Sequence, residues 1–259
     1  MDFERLYDEH ASYAARRRPG SFEQQQVAIE VRLFKLPQLL ALWPAGEPAR
    51  SVLEIGCGTG ELIAAWPVAE GGLRVGLDLS GRNIDAARAR FAGVLFATAD
   101  FRRAPPGEHF DGVVLSDVLE HVPDDAAFLA DAAALGERVL VNLPLECNWL
   151  NAARRYGPDD VSGHLRAYSL QEGLALFERA GLEVLRWQRA WLHETGAERE
   201  RRALRQRQFG RAYGSGALSA ALGALLFGAA NRVPAFGRRL LASNLFVLAR
   251  GRAAGGASP

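Results

Sequence analysis

The sequence is short of several residue types, and each shortage excludes something. Two cysteines, Cys57 and Cys147, stand in 259 residues, too few and too far apart for a disulfide framework or a thiolate zinc site. No run of roughly 20 apolar residues, the length a membrane-spanning helix needs, is present. The best candidate, Ala217 to Ala230, is 14 residues long and holds two glycines. The opening MDFERLYDEH is acidic and polar, unlike a secretory signal. Charge of one sign is not in excess either, with 31 basic against 30 acidic residues. With 49% hydrophobic residues, this is the balance of a folded soluble chain, not a disordered one, and a reducing, cytoplasmic setting is expected. Lysine is almost missing, because 30 of the 31 basic residues are arginine and Lys35 is the sole exception. Together with the high alanine content this reads as genome composition.

The near-neutral total is a sum of unlike parts. Residues 193–259 hold 11 arginines against Glu194, Glu198 and Glu200, whereas the residues before them carry a net charge of −7. An acidic main body is a poor nucleic-acid binder, so no nucleic-acid partner is expected. Any anionic partner or membrane surface belongs at the basic segment.

No internal repeat appears. Residues 1–44 read as a helical cap, with Val27, Val31 and Phe34 on one face and Pro37 breaking the segment in two. Short apolar runs then alternate with helical stretches. Strands are expected at Ser51–Ile55, Leu73–Leu77, Val94–Thr98, Gly112–Leu115, Arg138–Asn142, Leu182–Trp187 and Asn244–Ala249, with helices between most of them. Ser169 with Glu172 three residues on forms a capping box, and Gly181 is a helix stop. Alternating strands and helices mean βαβ units and an α/β, doubly wound parallel sheet. Its ligand sits outside the carboxyl ends of the strands. The core is expected over 45–192, a basic and apolar helical insertion over 193–240, a final strand of the core over 241–250, and a disordered Gly/Ala/Ser tail over 251–259.

The strongest chemical signal is Glu54-Ile55-Gly56-Cys57-Gly58-Thr59-Gly60, a buried strand running into a glycine turn that opens a helix. Glycine admits positive φ and lets a ligand approach the backbone, and a helix N-terminus offers free N–H donors. The third glycine comes one residue early for the dinucleotide fingerprint, and Glu61 would be a poor neighbour for a pyrophosphate. The spacing instead resembles motif I of the class I S-adenosylmethionine-dependent methyltransferases. Three further segments fall in that family's order. The second strand ends in Asp78, the third in Ala99-Asp100-Phe101, and the fourth runs Phe110-Asp111-Gly112-Val113-Val114-Leu115-Ser116-Asp117-Val118-Leu119-Glu120-His121-Val122-Pro123. The last is similar to the segment found in small-molecule methyltransferases, including quinone-biosynthesis O-methyltransferases.

The resemblance implies a seven-stranded, mostly parallel Rossmann-like sheet whose last strand is antiparallel, and S-adenosyl-L-methionine as cofactor. It implies that Glu54 and the loop Gly56, Cys57, Gly58 and Gly60 surround the methionine moiety. Asp78 would hold the ribose, Asp100 and Phe101 the adenine, and Ser116 would approach the sulfonium, with Leu79 and Asp117 also in contact. The N-terminal helices would cover the cofactor, with Arg32 or Lys35 reaching its carboxylate. Cys57 is expected to pack rather than react.

The acceptor side rests on Gly163-His164-Leu165-Arg166-Ala167-Tyr168-Ser169, which is similar to the family's segment before the corresponding helix. Methyl transfer needs alignment and exclusion of water, and a hydroxyl nucleophile is helped by a base, for which imidazole suits neutral pH. His164 is the first candidate and His121 the second; Glu120 and His121 could equally be structural. Arg166, Tyr168, Asn142 and Glu146 are candidates to line the acceptor pocket. Nothing resembles a metal cluster. The absence of an Asn/Asp-Pro-Pro-aromatic segment and of a Pro-Cys pair after the fourth strand argues against amino-group and C5 DNA methylation.

The chain is thus expected to methylate a small molecule, at oxygen. The competing readings are a membrane-associated enzyme for a lipid-linked substrate, a non-catalytic cofactor-binding module, and a nicotinamide-dependent oxidoreductase. The arginine-rich part of 193–240 reads as a solvated helix face, a membrane contact, or a lid or homodimer surface built from Leu218, Leu222, Leu225, Leu226 and Phe227.

Overall fold

Val113, Val114 and Leu115 in one run and Val139, Leu140 and Val141 in another are all apolar and fully buried, which only a sheet covered on both faces can accommodate. The computed structural model describes residues 8–9, 11–148, 151–157, 160, 162–192, 195–210, 225, 228–229, 232–233 and 243–252. Within them, α1 (Ala11–Arg16) and α2 (Phe22–Glu30) lead through a π-helical turn, Val31–Lys35, into α3 (Leu36–Leu42). Then follow β1 (Ser51–Ile55), α4 (Glu61–Ala65), β2 (Leu73–Asp78), α5 (Gly81–Arg90), β3 (Leu95–Thr98) and β4 (Phe110–Ser116). A 3₁₀ turn, Leu119–His121, precedes α6 (Asp125–Ala133), β5 (Gly136–Leu145), α7 (Leu170–Arg179), β6 (Leu182–Ala190), α8 (Gly196–Phe209) and β7 (Ser243–Gly251).

The seven strands form one sheet in the order β3-β2-β1-β4-β5-β7-β6. β1 to β5 pair in parallel, and β7 runs antiparallel to both β5 and β6. The winding reverses between β1 and β4, where such sheets open a ligand crevice.

Side chains alternate across the sheet with the period of two that a strand imposes. Leu53, Leu115, Val141, Leu143 and Val247 pack on one side against Leu129, Leu176 and Phe177. Val52, Val114, Leu140, Phe246 and Leu248 pack on the other against Phe34, Leu39, Ile63 and Ile84. The capping box at Ser169 and Glu172 is formed, Ser80 and Asp124 cap α5 and α6, and Gly181 takes φ 70°.

Three expectations change. Pro37 does not part the cap helix: the chain widens into the π turn just ahead of it, and α3 starts at Leu36 with the proline in its first turn, where its missing N–H costs nothing. β4 starts at Phe110 because the Asp111 carboxylate accepts from Arg50 N and Ser51 N, tying the strand to β1. β5 continues to Leu145 because β7 pairs with it along its whole far half.

The first helix of the insertion packs against the cap. Phe209 meets Phe22 edge-on at 4.9 Å, and Arg201 pairs with Glu30 at 3.2 Å. Its arginines therefore divide between solvent and the cap. Leu218, Leu222, Leu226 and Phe227, and the tail from 253, lie outside the described residues; Leu225 is exposed. No helix among the described residues is long and apolar enough to cross a membrane.

Phe246 is fully buried on β7, edge-on to Phe34 of the cap at 5.4 Å. Phe246→Ala is expected to cost about 3–5 kcal/mol, read as a lower denaturation midpoint at unchanged slope.

Candidate cofactor and acceptor site

The loop after β1 is shaped by three glycines with different tasks. At Gly56 (φ 74°) an added Cβ would come within 2.6 Å of Val118, and at Gly60 (φ 85°) within 2.7 Å of Phe96, so both are required by packing. At Gly58 (φ 52°) a Cβ would meet nothing within 4 Å; this glycine keeps the backbone bare where the loop faces open space.

That space is a cavity of about 1000 Å³ at the carboxyl ends of the strands, beneath the cap. It is lined by Glu54, Gly56, Cys57, Gly58, Asp78, Leu79, Asp100, Phe101, Ser116, Asp117, His121 and His164. Among the glycine-loop and strand-end residues expected around the cofactor, only Gly60 is off its wall; it sits behind the loop and starts α4. Tyr168 and Arg166 are also off the wall. The Tyr168 hydroxyl is buried on Asp125 and on the Leu119 carbonyl, and Arg166 pairs with Asp125, so both tie the 163–169 segment to α6. Asn142 lies just behind the wall, donating to Ser116 and Asp117, whereas Glu146 is on it.

Each acidic residue at the strand ends is held by a specific donor. Glu54 accepts from Ile63 N at 2.9 Å, and burial pushes its carboxyl well above the usual carboxylate range. Asp78 accepts from Gly58 N at 2.8 Å, Ser80 N at 2.9 Å and the Asn83 amide. It therefore braces the glycine loop against the end of β2, a role sequence reading did not foresee, with about one acceptor position of the carboxylate left over. Asp100 accepts from Arg102 N, and Phe101 meets Phe128 edge-on at 5.0 Å. The Cys57 thiol is buried and pushed up by that burial, so it packs as expected.

Asp117 is the one non-glycine residue among those described with positive φ, at 56°. Its carboxylate accepts from Lys35 Nζ at 2.6 Å and from Ser116 and Asn142. Burial alone would raise this carboxyl, but the Lys35 ammonium outweighs it and holds it below its usual value. Arg32 pairs instead with Glu200. Lys35 is on the cavity wall, engaged with Asp117, whereas Arg32 is not; Arg16, Arg102 and Arg201 are the arginines on the wall that sequence reading missed.

The acceptor end gathers two imidazoles, edge-on with centroids 4.7 Å apart. His121 Nδ1 lies 3.0 Å from the Gly163 carbonyl, so Nδ1 carries the proton. Burial and then the neighbouring His164 lower its pKa to about 4, which keeps it neutral. His164 Nδ1 lies 2.6 Å from Glu146 Oε2 and donates to it. Among the described residues, both oxygens of the buried Glu120 carboxylate lack a hydrogen-bond partner, though Oε1 lies 3.9 Å from His121 Nε2, and burial followed by Asp117 pushes the group well above its usual range. Glu120, His121 and His164 each bring one ligand atom within 4.8 Å of the others. This set is compatible with a divalent ion and was invisible to sequence reading, because His164 lies 43 residues beyond His121 in the chain.

A doubly wound sheet with a bare glycine turn, an acidic residue closing β2 and a roomy cavity at the switch point defines the class I methyltransferase type of α/β protein. A family model described as a methyltransferase domain matches residues 25–186, and the chain belongs to that family. It is 36% identical over 109 residues to the ubiquinone biosynthesis O-methyltransferase of Rhodopseudomonas palustris, covering 39% of this chain and 42% of that one. The chain thus matches less than half the length of that relative. Among solved structures it is similar to magnesium protoporphyrin IX methyltransferase from Synechocystis with bound SAH (TM-score 0.52, 17% identity, 96% and 93% of the two chains). It is also similar to Haemonchus contortus phospholethanolamine N-methyltransferase 2 (TM-score 0.59, 17% identity, 97% and 61%). These two establish the fold.

Lys35→Met strands the Asp117 carboxylate on the cavity wall. The expected cost is about 1–3 kcal/mol, between the limits for exposed and buried pairs. Chemical denaturation of this variant and of Lys35→Met/Asp117→Asn checks it, the double variant recovering most of the loss.

Proposed function

We propose that the chain binds S-adenosyl-L-methionine across the ends of β1, β2 and β3 and transfers its methyl group to an oxygen of a small-molecule acceptor. The observation that carries the reading is a single cavity whose wall holds the bare Gly58 turn and Asp78 together with the Glu146–His164 pair. Its volume of about 1000 Å³ leaves room for an acceptor beside the cofactor. Glu54, Gly56, Cys57 and Gly58 surround the methionine moiety. Asp78, beside Leu79, takes a ribose hydroxyl with its remaining acceptor position, Asp100 takes the adenine amino group, and Phe101 lies against the ring. Ser116 and Asp117 face the sulfonium.

In the transfer, the acceptor oxygen forms a bond to the methyl carbon as the carbon–sulfur bond breaks. The electron pair goes to sulfur, leaving S-adenosylhomocysteine. The hydroxyl proton passes to His164 Nε2, because Nδ1 is committed to Glu146. Transfer to oxygen is supported by this base and by the name of the Rhodopseudomonas relative. A cytoplasmic small-molecule enzyme without nucleic-acid partners agrees with the acidic main body.

A second reading is favoured by Glu120, whose carboxylate accepts no hydrogen bond among the described residues and faces the two histidines. A divalent ion on Glu120, His121 and His164 would supply Lewis acidity to the acceptor oxygen.

Calorimetry with S-adenosylhomocysteine tests the cofactor. The native protein is expected to bind it, and Asp78→Ala to bind about 10- to 100-fold more weakly; no binding by the native protein ends the reading. Methyl-labelled cofactor with catechol as acceptor tests the base. His164→Ala is expected to lose about 10²–10⁴-fold in turnover, while the parent keeps its activity after dialysis against a chelator. Activity lost on chelation and restored by the ion would select the second reading.

A further inference from the structure

We propose that Glu146 is a positioning residue for His164, locked in place by Arg154 and Asp160. The inference rests on the reading of His164 as a group that works on the acceptor, and it holds whether Nε2 takes a proton or binds an ion.

Glu146 is the first residue after β5 ends at Leu145, so its backbone is anchored to the sheet although its side chain reaches into the loop. Its two oxygens are divided between two partners. Oε2 accepts from His164 Nδ1 at 2.6 Å, and Oε1 from Arg154 Nη1 at 2.6 Å. Arg154 is held in turn by Asp160, donating from Nε and Nη2 to the two carboxylate oxygens at 2.9 Å each. This is the fork geometry in which a guanidinium is least free to turn. Asp160 also accepts from the backbone N–H of Ser162 at 3.0 Å and of His164 at 3.3 Å. The chain of contacts thus returns to the residue it serves, and both the ring and the backbone of His164 are fixed from one anchored strand end.

The physical need is specific. A neutral imidazole has two tautomers and a ring that turns about its side-chain bonds, and only one combination presents an unprotonated Nε2 to the cavity. A carboxylate accepts hydrogen bonds and donates none, so the contact from Glu146 Oε2 fits the tautomer with the proton on Nδ1. An amide in its place can instead donate to Nδ1 and select the opposite tautomer, an exchange that costs serine proteases about 10⁴-fold in turnover. A residue that only tied the loop down would have no use for this distinction.

The test is ¹⁵N-detected NMR of the histidine rings in the intact protein, which requires no acceptor, together with turnover of catechol. The parent is expected to show His164 protonated at Nδ1 and unprotonated at Nε2. Glu146→Gln is expected to move His164 toward the opposite tautomer and to lower kcat by 10²–10⁴-fold, with KM and S-adenosylhomocysteine binding within about twofold. Glu146→Asp, which keeps the carboxylate, is expected to retain the parent tautomer and to recover at least a tenth of the activity. A parent His164 protonated at Nε2 overturns the proposal. So does a Glu146→Gln variant with the parent tautomer, whatever its activity. If Glu146→Gln does not fold, Arg154→Gln is measured in its place, with a loosened His164 ring and lowered kcat expected and parent values overturning the proposal. Parent-like turnover in His164→Ala would instead refute the assigned role of His164 and leave the tautomer result standing.

Discussion

The polar groups of the site are arranged by one constraint: the central parallel strands, buried on both faces, have no room for charge except at their ends. Val52, Leu53, Val113, Val114, Leu140 and Val141 are completely enclosed. The ionisable groups are therefore driven to the carboxyl ends of β1, β2, β4 and β5, where burial is still deep enough that each needs a partner. Glu54 finds the start of α4, Asp78 the glycine loop, Asp117 the Lys35 ammonium and Glu146 the Arg154 guanidinium. The groups that compensate each other are the same ones that wall the cavity, so the site is rigid for the reason that the sheet is stable. Glu120, which accepts no hydrogen bond among the described residues, is the exception and lies among the histidines.

The core strands and the switch-point loop were legible in the sequence because their signals are local. An apolar run, a glycine spacing and an acidic residue at a strand end all fall within a few residues of one another. The partnerships of the acceptor end were not legible, because they join distant segments: His121 with His164, Lys35 with Asp117, Glu30 with Arg201. Tyr168 misled for a related reason. A tyrosine in a loop over the site reads as a pocket residue, yet its hydroxyl found a buried acceptor on α6. The π turn was also hidden, since no residue type marks it and Pro37 suggested a break.

The cap and the insertion, separate in sequence, act as one cover. α8 lies along α2 through Phe22 and Phe209, Glu30 and Arg201, and Arg32 reaches Glu200. The positive charge of the C-terminal segment is thus spent partly on the acidic residues of the N-terminal one, which tempers the contrast that composition alone suggests.

That cover meets the carboxyl edge of the sheet at Lys35, the single lysine among 31 basic residues. Its side chain is 19% exposed and engaged with Asp117 and Glu30. What looked like a compositional accident leaves the molecule with a single side-chain amine. Apart from the α-amino terminus, amine-directed acylation ignores thirty guanidinium groups and finds one ε-amino group, held between two carboxylates beneath the cover.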